Sequence, residues 1–92
     1  MCEHLVDVIS ETITYLSERG YEVVRINACK EVSDVLIRRD DNLHYWWDIT
    51  VHIWDVGNID DLLRLQDSLR EHLRSVFGDD VMVKYRVYLW GV

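Results

Sequence analysis

No proline occurs in this chain of 92 residues, glycine appears four times and cysteine twice. Without proline, no loop is stiffened by a locked φ, and the turns are read instead from glycine, asparagine and aspartate. Cys2 and Cys29 make neither a disulfide framework nor a metal knuckle, because structural zinc takes about four ligands at short paired spacings. His4 stands close to Cys2, but a frayed terminus does not hold a metal without partners on a rigid element, so two free thiols and no metal are expected. Basic charge is scarce as well: ten Lys and Arg against seventeen Asp and Glu give a formal net charge of -7. That balance opposes approach to a polyanion and disfavours direct nucleic-acid binding. No apolar run approaches the ~20 residues that cross a bilayer, and the residues after Met1 include acid and histidine where a signal peptide is basic and then apolar. A cytoplasmic protein without a membrane partner is the expectation. No glycine-rich phosphate loop, paired-histidine helix or recognisable serine or cysteine nucleophile is present, and nothing in the chain calls for a cofactor.

What the chain does have is hydrophobic residues, 49% of the total, enough for one core in a single domain spanning residues 1–92. Leu5, Val6, Ile9, Ile13 and Leu16 recur at helical spacing, and the stripe stops at Arg19-Gly20, a glycine suited to the left-handed position after a helix. Tyr21 to Ala28 reads as a strand, with Val24 and Ile26 on its apolar side. Lys30 to Ser33 reads as a connection to a second strand, Asp34 to Arg39, which turns at Asp40-Asp41-Asn42 into a third. Asn58 is a good N-cap for a second helix, with Asp60 and Asp61 in its first turn, Leu62, Leu65, Leu69 and Leu73 along its stripe, and Gly78 at its end. Val81 to Trp90 then alternates as a fourth strand. The expected fold is α/β (α+β), in the order α-β-β-β-α-β, with a mixed four-stranded sheet packed with two helices and its last strand parallel to the third.

The segment Tyr45 to Trp54 separates two chemistries by period-two alternation. Tyr45, Trp47, Ile49, Val51 and Ile53 belong to one face; Trp46, Asp48, Thr50, His52 and Trp54 belong to the other. The apolar face, with Val24, Ile26, Val35, Ile37, Val83, Tyr85, Val87 and Leu89, is expected to lie under the helices. If both helices cover that side, the second face is open and gathers Arg25, Arg38, Trp46, Asp48, His52, Trp54, Lys84, Arg86, Tyr88 and Trp90. Solvent-facing strands carry such residues for their cross-strand pairing alone. Tryptophan and arginine are also the side chains in which binding energy concentrates, which makes these ten the candidate partner-binding residues.

The first two thirds of the chain resemble the PD-(D/E)XK nuclease core, in particular the archaeal Holliday junction resolvases. The resemblance lies in Arg19-Gly20-Tyr21 with Val23-Val24-Arg25, in Ser33-Asp34-Val35, and in Asp48-Ile49-Thr50. It implies a magnesium site on Asp34 and Asp48, with Glu11 as the helical acid. Ser33 replaces the motif proline and Thr50 stands in place of the motif lysine, so the resemblance implies an inactive relative.

Two readings result. One is a non-catalytic acidic protein-binding module, an inhibitor or adaptor of the kind phages and mobile elements encode, acting through the tryptophan face or the acidic helices. Its partner is a protein, a second copy of the chain included. The other is a degenerate metal-dependent nuclease or nucleic-acid-binding relative using Asp34 and Asp48.

Overall fold

The computed structural model describes residues 4–32, 45–54 and 57–92. It is an α+β arrangement in the order α1 (Leu5–Glu18), β1 (Val23–Val32), β2 (Tyr45–Ile53), α2 (Ile59–Phe77), α3 (Asp79–Met82) and β3 (Tyr85–Gly91). The three strands form one mixed sheet in the order β1-β2-β3, with β1 antiparallel and β3 parallel to β2.

The local stop and start signals act as the sequence indicates. Gly20 has φ +85°, and around it the Tyr21 N–H donates to Leu16 O while the Gly20 N–H donates to Ser17 O, the paired bonds that close a helix through a left-handed residue. At the other helix, Asn58 Oδ1 accepts from the Asp61 N–H at 3.0 Å, and Gly78, with φ +87°, ends α2. Thr12, the one buried polar residue among the described residues, satisfies its hydroxyl by donating to Val8 O at 2.8 Å.

The expected four-stranded sheet is not what forms. The segment expected as the second strand, Asp34 to Arg39, lies outside the described residues, with Arg38 and the core positions Val35 and Ile37. It does not separate its neighbours: β1 runs on through Lys30 to Val32 and pairs directly with β2, from Val23 opposite Ile53 to Val32 opposite Tyr45. Lys30 to Val32 therefore belong to a strand rather than to a connection, held there by the ladder that Tyr45 to Asp48 offer. A register irregularity between Val23 and Arg25 displaces Val24, which is 53% exposed, while Val23 and Ile26 pack on the core. The expected start of the last strand is also displaced. After Gly78, the acids Asp79 and Asp80 favour the N-terminal end of another helical turn, α3, so Val83 is 68% exposed and the strand begins at Tyr85.

Both long helices lie on one face of the sheet. Val8, Tyr15 and Leu16 from α1 and Leu65, Leu69 and Leu73 from α2 join Ile49, Val51, Ile53, Tyr85, Val87 and Leu89 in one core. His72 Nε2 and Glu11 Oε1, 2.7 Å apart, tie the two helices together, and the imidazole packs on Tyr15 at a 4.7 Å centroid separation. α2 also closes the outer edge of β3: Gln66 Oε1 accepts from the Leu89 N–H at 2.9 Å, and Arg70 Nε donates to Val87 O at 2.8 Å. Among the described residues, no helix is long and apolar enough to cross a membrane.

Candidate functional site: the uncovered face of the sheet

Because α1 and α2 share one side, the opposite side of the sheet carries no described helix. Its side chains stand in cross-strand rows fixed by the register: Arg25, His52 and Trp90; Asn27, Thr50 and Tyr88; Cys29, Asp48 and Arg86; Glu31 and Trp46. Trp54 follows directly after β2. Trp54 and Trp90 are each 57% exposed. The His52 and Trp90 rings stack at 6.5 Å. The Arg86 guanidinium lies 4.5 Å over the Trp46 ring, where the face of the indole attracts a cation.

Two polar atoms on this face, Trp46 Nε1 and Asp48 Oδ1, are shut away from solvent without a hydrogen-bond partner among the described residues. One is a donor and the other an acceptor, two residues apart on the same side of β2. Leaving such groups unpaired costs about 1–3 kcal/mol each, so this strip of the sheet is not optimised for the isolated fold.

Cys29 is fully exposed, and its thiol donates to Glu31 Oε1 at 3.5 Å. That hydrogen bond is the main reason its pKa is raised, followed by the charge of Glu31, some desolvation and the charge of Asp48. A thiol held protonated beside two carboxylates is a poor nucleophile and a poor metal ligand.

The structure brings together eight of the ten expected residues, Arg25, Trp46, Asp48, His52, Trp54, Arg86, Tyr88 and Trp90, along β1, β2 and β3. Lys84 is not one of them. It precedes β3, and its ammonium lies 4.1 Å from the centroid of the Tyr45 ring, which takes the Lys30 ammonium as well, at 4.4 Å. Tyr45 belongs to the alternate set of β2, so Lys84 serves the helix side of the sheet. Arg38 and Asp34 lie outside the described residues. Of the other residues named by the nuclease resemblance, Asp48 and Thr50 sit on the open face, whereas Glu11 is engaged by His72 between the helices. Among the described residues, no cluster of three His, Cys, Asp or Glu side chains is placed to hold a metal ion.

Sequence reasoning missed a hollow of about 360 Å³ beside Trp90, walled by Asn58, Ile59, Leu62, Gly91 and Val92. Ile59 and Val92 are 69% and 57% exposed, so the exposed indole continues into an apolar border at the start of α2. A signal was available: Ile59 interrupts the polar first turn of α2 between Asn58 and Asp60. No protein-family model matches the chain, and comparison with curated proteins and with solved structures gives no match either.

Proposed function

We propose that this chain is a non-catalytic protein-binding module that docks a protein partner on the uncovered face of its sheet. The observation that carries this reading is the pair of half-exposed indoles, Trp54 and Trp90, on a face that no described helix covers. Exposed large apolar groups grouped in this way mark interaction surfaces. Several features support it. The hollow beside Trp90 offers room for an apolar side chain, and the Trp46 donor and Asp48 acceptor have no hydrogen-bond partner among the described residues. The protonated Cys29 thiol and the diversion of Glu11 to His72 favour binding over catalysis on this face. A small, acidic inhibitor or adaptor is the class that this profile suits, and a second copy of the chain is the simplest partner to test.

The test is sedimentation across a wide concentration range, combined with acrylamide quenching of tryptophan fluorescence. In the monomer, Trp54 and Trp90 should be quenched freely, and association should protect them. Trp90→Ala should weaken association by about 30-fold, the effect of losing a side chain worth about 2 kcal/mol at an interface, with little change in thermal stability. Unfolding of both Trp54→Ala and Trp90→Ala, or association indifferent to both, would overturn the proposal.

A further inference from the structure

Apart from the tryptophans, a pocket of about 340 Å³ opens at the outer edge of β3, between that strand, α2 and α3. Arg70 and Arg74 enter it from α2 and Arg86 from the sheet, with Met82, Val83, Tyr85, Val87 and Tyr88 as the remaining described walls. Three of the chain's ten Lys and Arg residues thus converge on one pocket in a molecule of net charge -7. None of the three makes an ion pair among the described residues, and no acid appears among the described walls.

The arginines are also held in place. Arg70 is anchored by its Nε bond to Val87 O and lies with its guanidinium carbon 5.1 Å from the centroid of the Tyr88 ring. This leaves its terminal nitrogens free of hydrogen bonds among the described residues. Arg74 follows four residues later, on the same side of the helix, so the two like charges repel each other. Arg86 is steadied over Trp46. Arg86 faces Asp48 in the ladder without an ion pair between them among the described residues, and guanidinium groups so placed on two elements match the several oxygens of a tetrahedral anion, which accepts their paired N–H groups.

We propose that this pocket binds a phosphomonoester dianion. The dianion relieves the repulsion between Arg70 and Arg74 and is met by Arg86 from the sheet, while Tyr88, Met82 and Val83 border the organic part of the ester. A monoester suits the site better than a nucleic acid, because a long chain of phosphodiesters brings further negative charge toward an acidic protein for each charge the pocket neutralises. The pocket shares Arg86 and Tyr88 with the face proposed for docking, but Arg70, Arg74 and α3 lie outside that face, so phosphate binding does not rest on the docking of a partner on the tryptophans.

The experiment is a titration of the full chain with inorganic phosphate, free O-phosphotyrosine and a phosphotyrosine peptide, followed by amide chemical shifts of β3. Saturable shifts at Val87 and Tyr88 are expected. Arg74→Gln and Arg86→Gln should each weaken phosphate binding by about tenfold or more, as for the loss of a charged hydrogen bond, whereas Arg64→Gln on the exposed side of α2 should leave it within about twofold. Trp90→Ala should retain phosphate binding, which separates this result from any failure of the docking proposal. A peptide that binds much more tightly than the free amino acid identifies a phosphorylated protein as the source, and equal affinity identifies a small phosphate ester. Lack of saturation, equal loss with Arg64→Gln, or binding of single-stranded oligonucleotide without binding of any monoester overturns the proposal. Circular dichroism of each variant separates lost binding from lost fold.

Discussion

Cys29 shows how a neighbour sets the chemistry of an exposed side chain. Its thiolate would form beside the Glu31 carboxylate that now accepts a hydrogen bond from the thiol, so the charged form is disfavoured and the pKa rises. Site-resolved alkylation should therefore reach its half-maximal rate at higher pH than for a free cysteine, and Glu31→Gln should return the profile to lower pH. The caps give predictions of a different kind. Gly20→Ala forces a Cβ into φ +85° and should cost about 1–2 kcal/mol, and Asn58→Ala removes the bond to the Asp61 N–H and should cost about 1 kcal/mol, both read by urea denaturation. Gly20, Asn58 and Gly78 were legible in the sequence because a cap is a local device, satisfied within a few residues of its own backbone. The buried Trp46 Nε1 and Asp48 Oδ1 were not, because solvent exclusion of a strand side chain is set by tertiary neighbours and not by its own position in the alternation.

At the level of elements, helical stripes and the alternation of β2 could be read directly, since burial on one side imposes a period on the sequence. Strand pairing could not. The β-branched character of Asp34 to Arg39 suited a strand, but register is a choice among distant partners, and the residues from Tyr45 to Ile53 take the whole length of β1 instead. Alternation also failed at Val24, where an irregularity shifts the pattern, and at Val81 to Lys84, where the acids after Gly78 extend the helical region. The helix seam and the strand edge respond differently to mutation. Leu69→Ala, at a side chain with no exposed surface between α2 and the sheet, should cost about 2–5 kcal/mol in urea denaturation. Gln66→Ala leaves the Leu89 N–H without its acceptor and should cost about 1–3 kcal/mol, with faster amide exchange concentrated at that position.

The described residues form two layers, with α1 and α2 on one side of the sheet, in a molecule that measures 45 × 22 × 20 Å. Composition showed that one core was affordable, yet alternation has no sign: a two-faced strand looks the same whether its polar side meets water or another layer. The placement of α1 and α2 supplies that sign for the described helices alone: both pack on the Ile49, Val51 and Ile53 side. A net charge of -7 spread over so small a body should make self-repulsion measurable, and the thermal midpoint should rise with added sodium chloride as that repulsion is screened. The two rims of the sheet are unequal too. Gln66 and Arg70 occupy two outward backbone groups of β3, the Leu89 N–H and the Val87 carbonyl, while β1 has no such cover among the described residues. Strand addition from another chain is therefore disfavoured at the β3 rim, where an incoming strand has to displace Gln66 and Arg70 before it can pair with Val87 and Leu89.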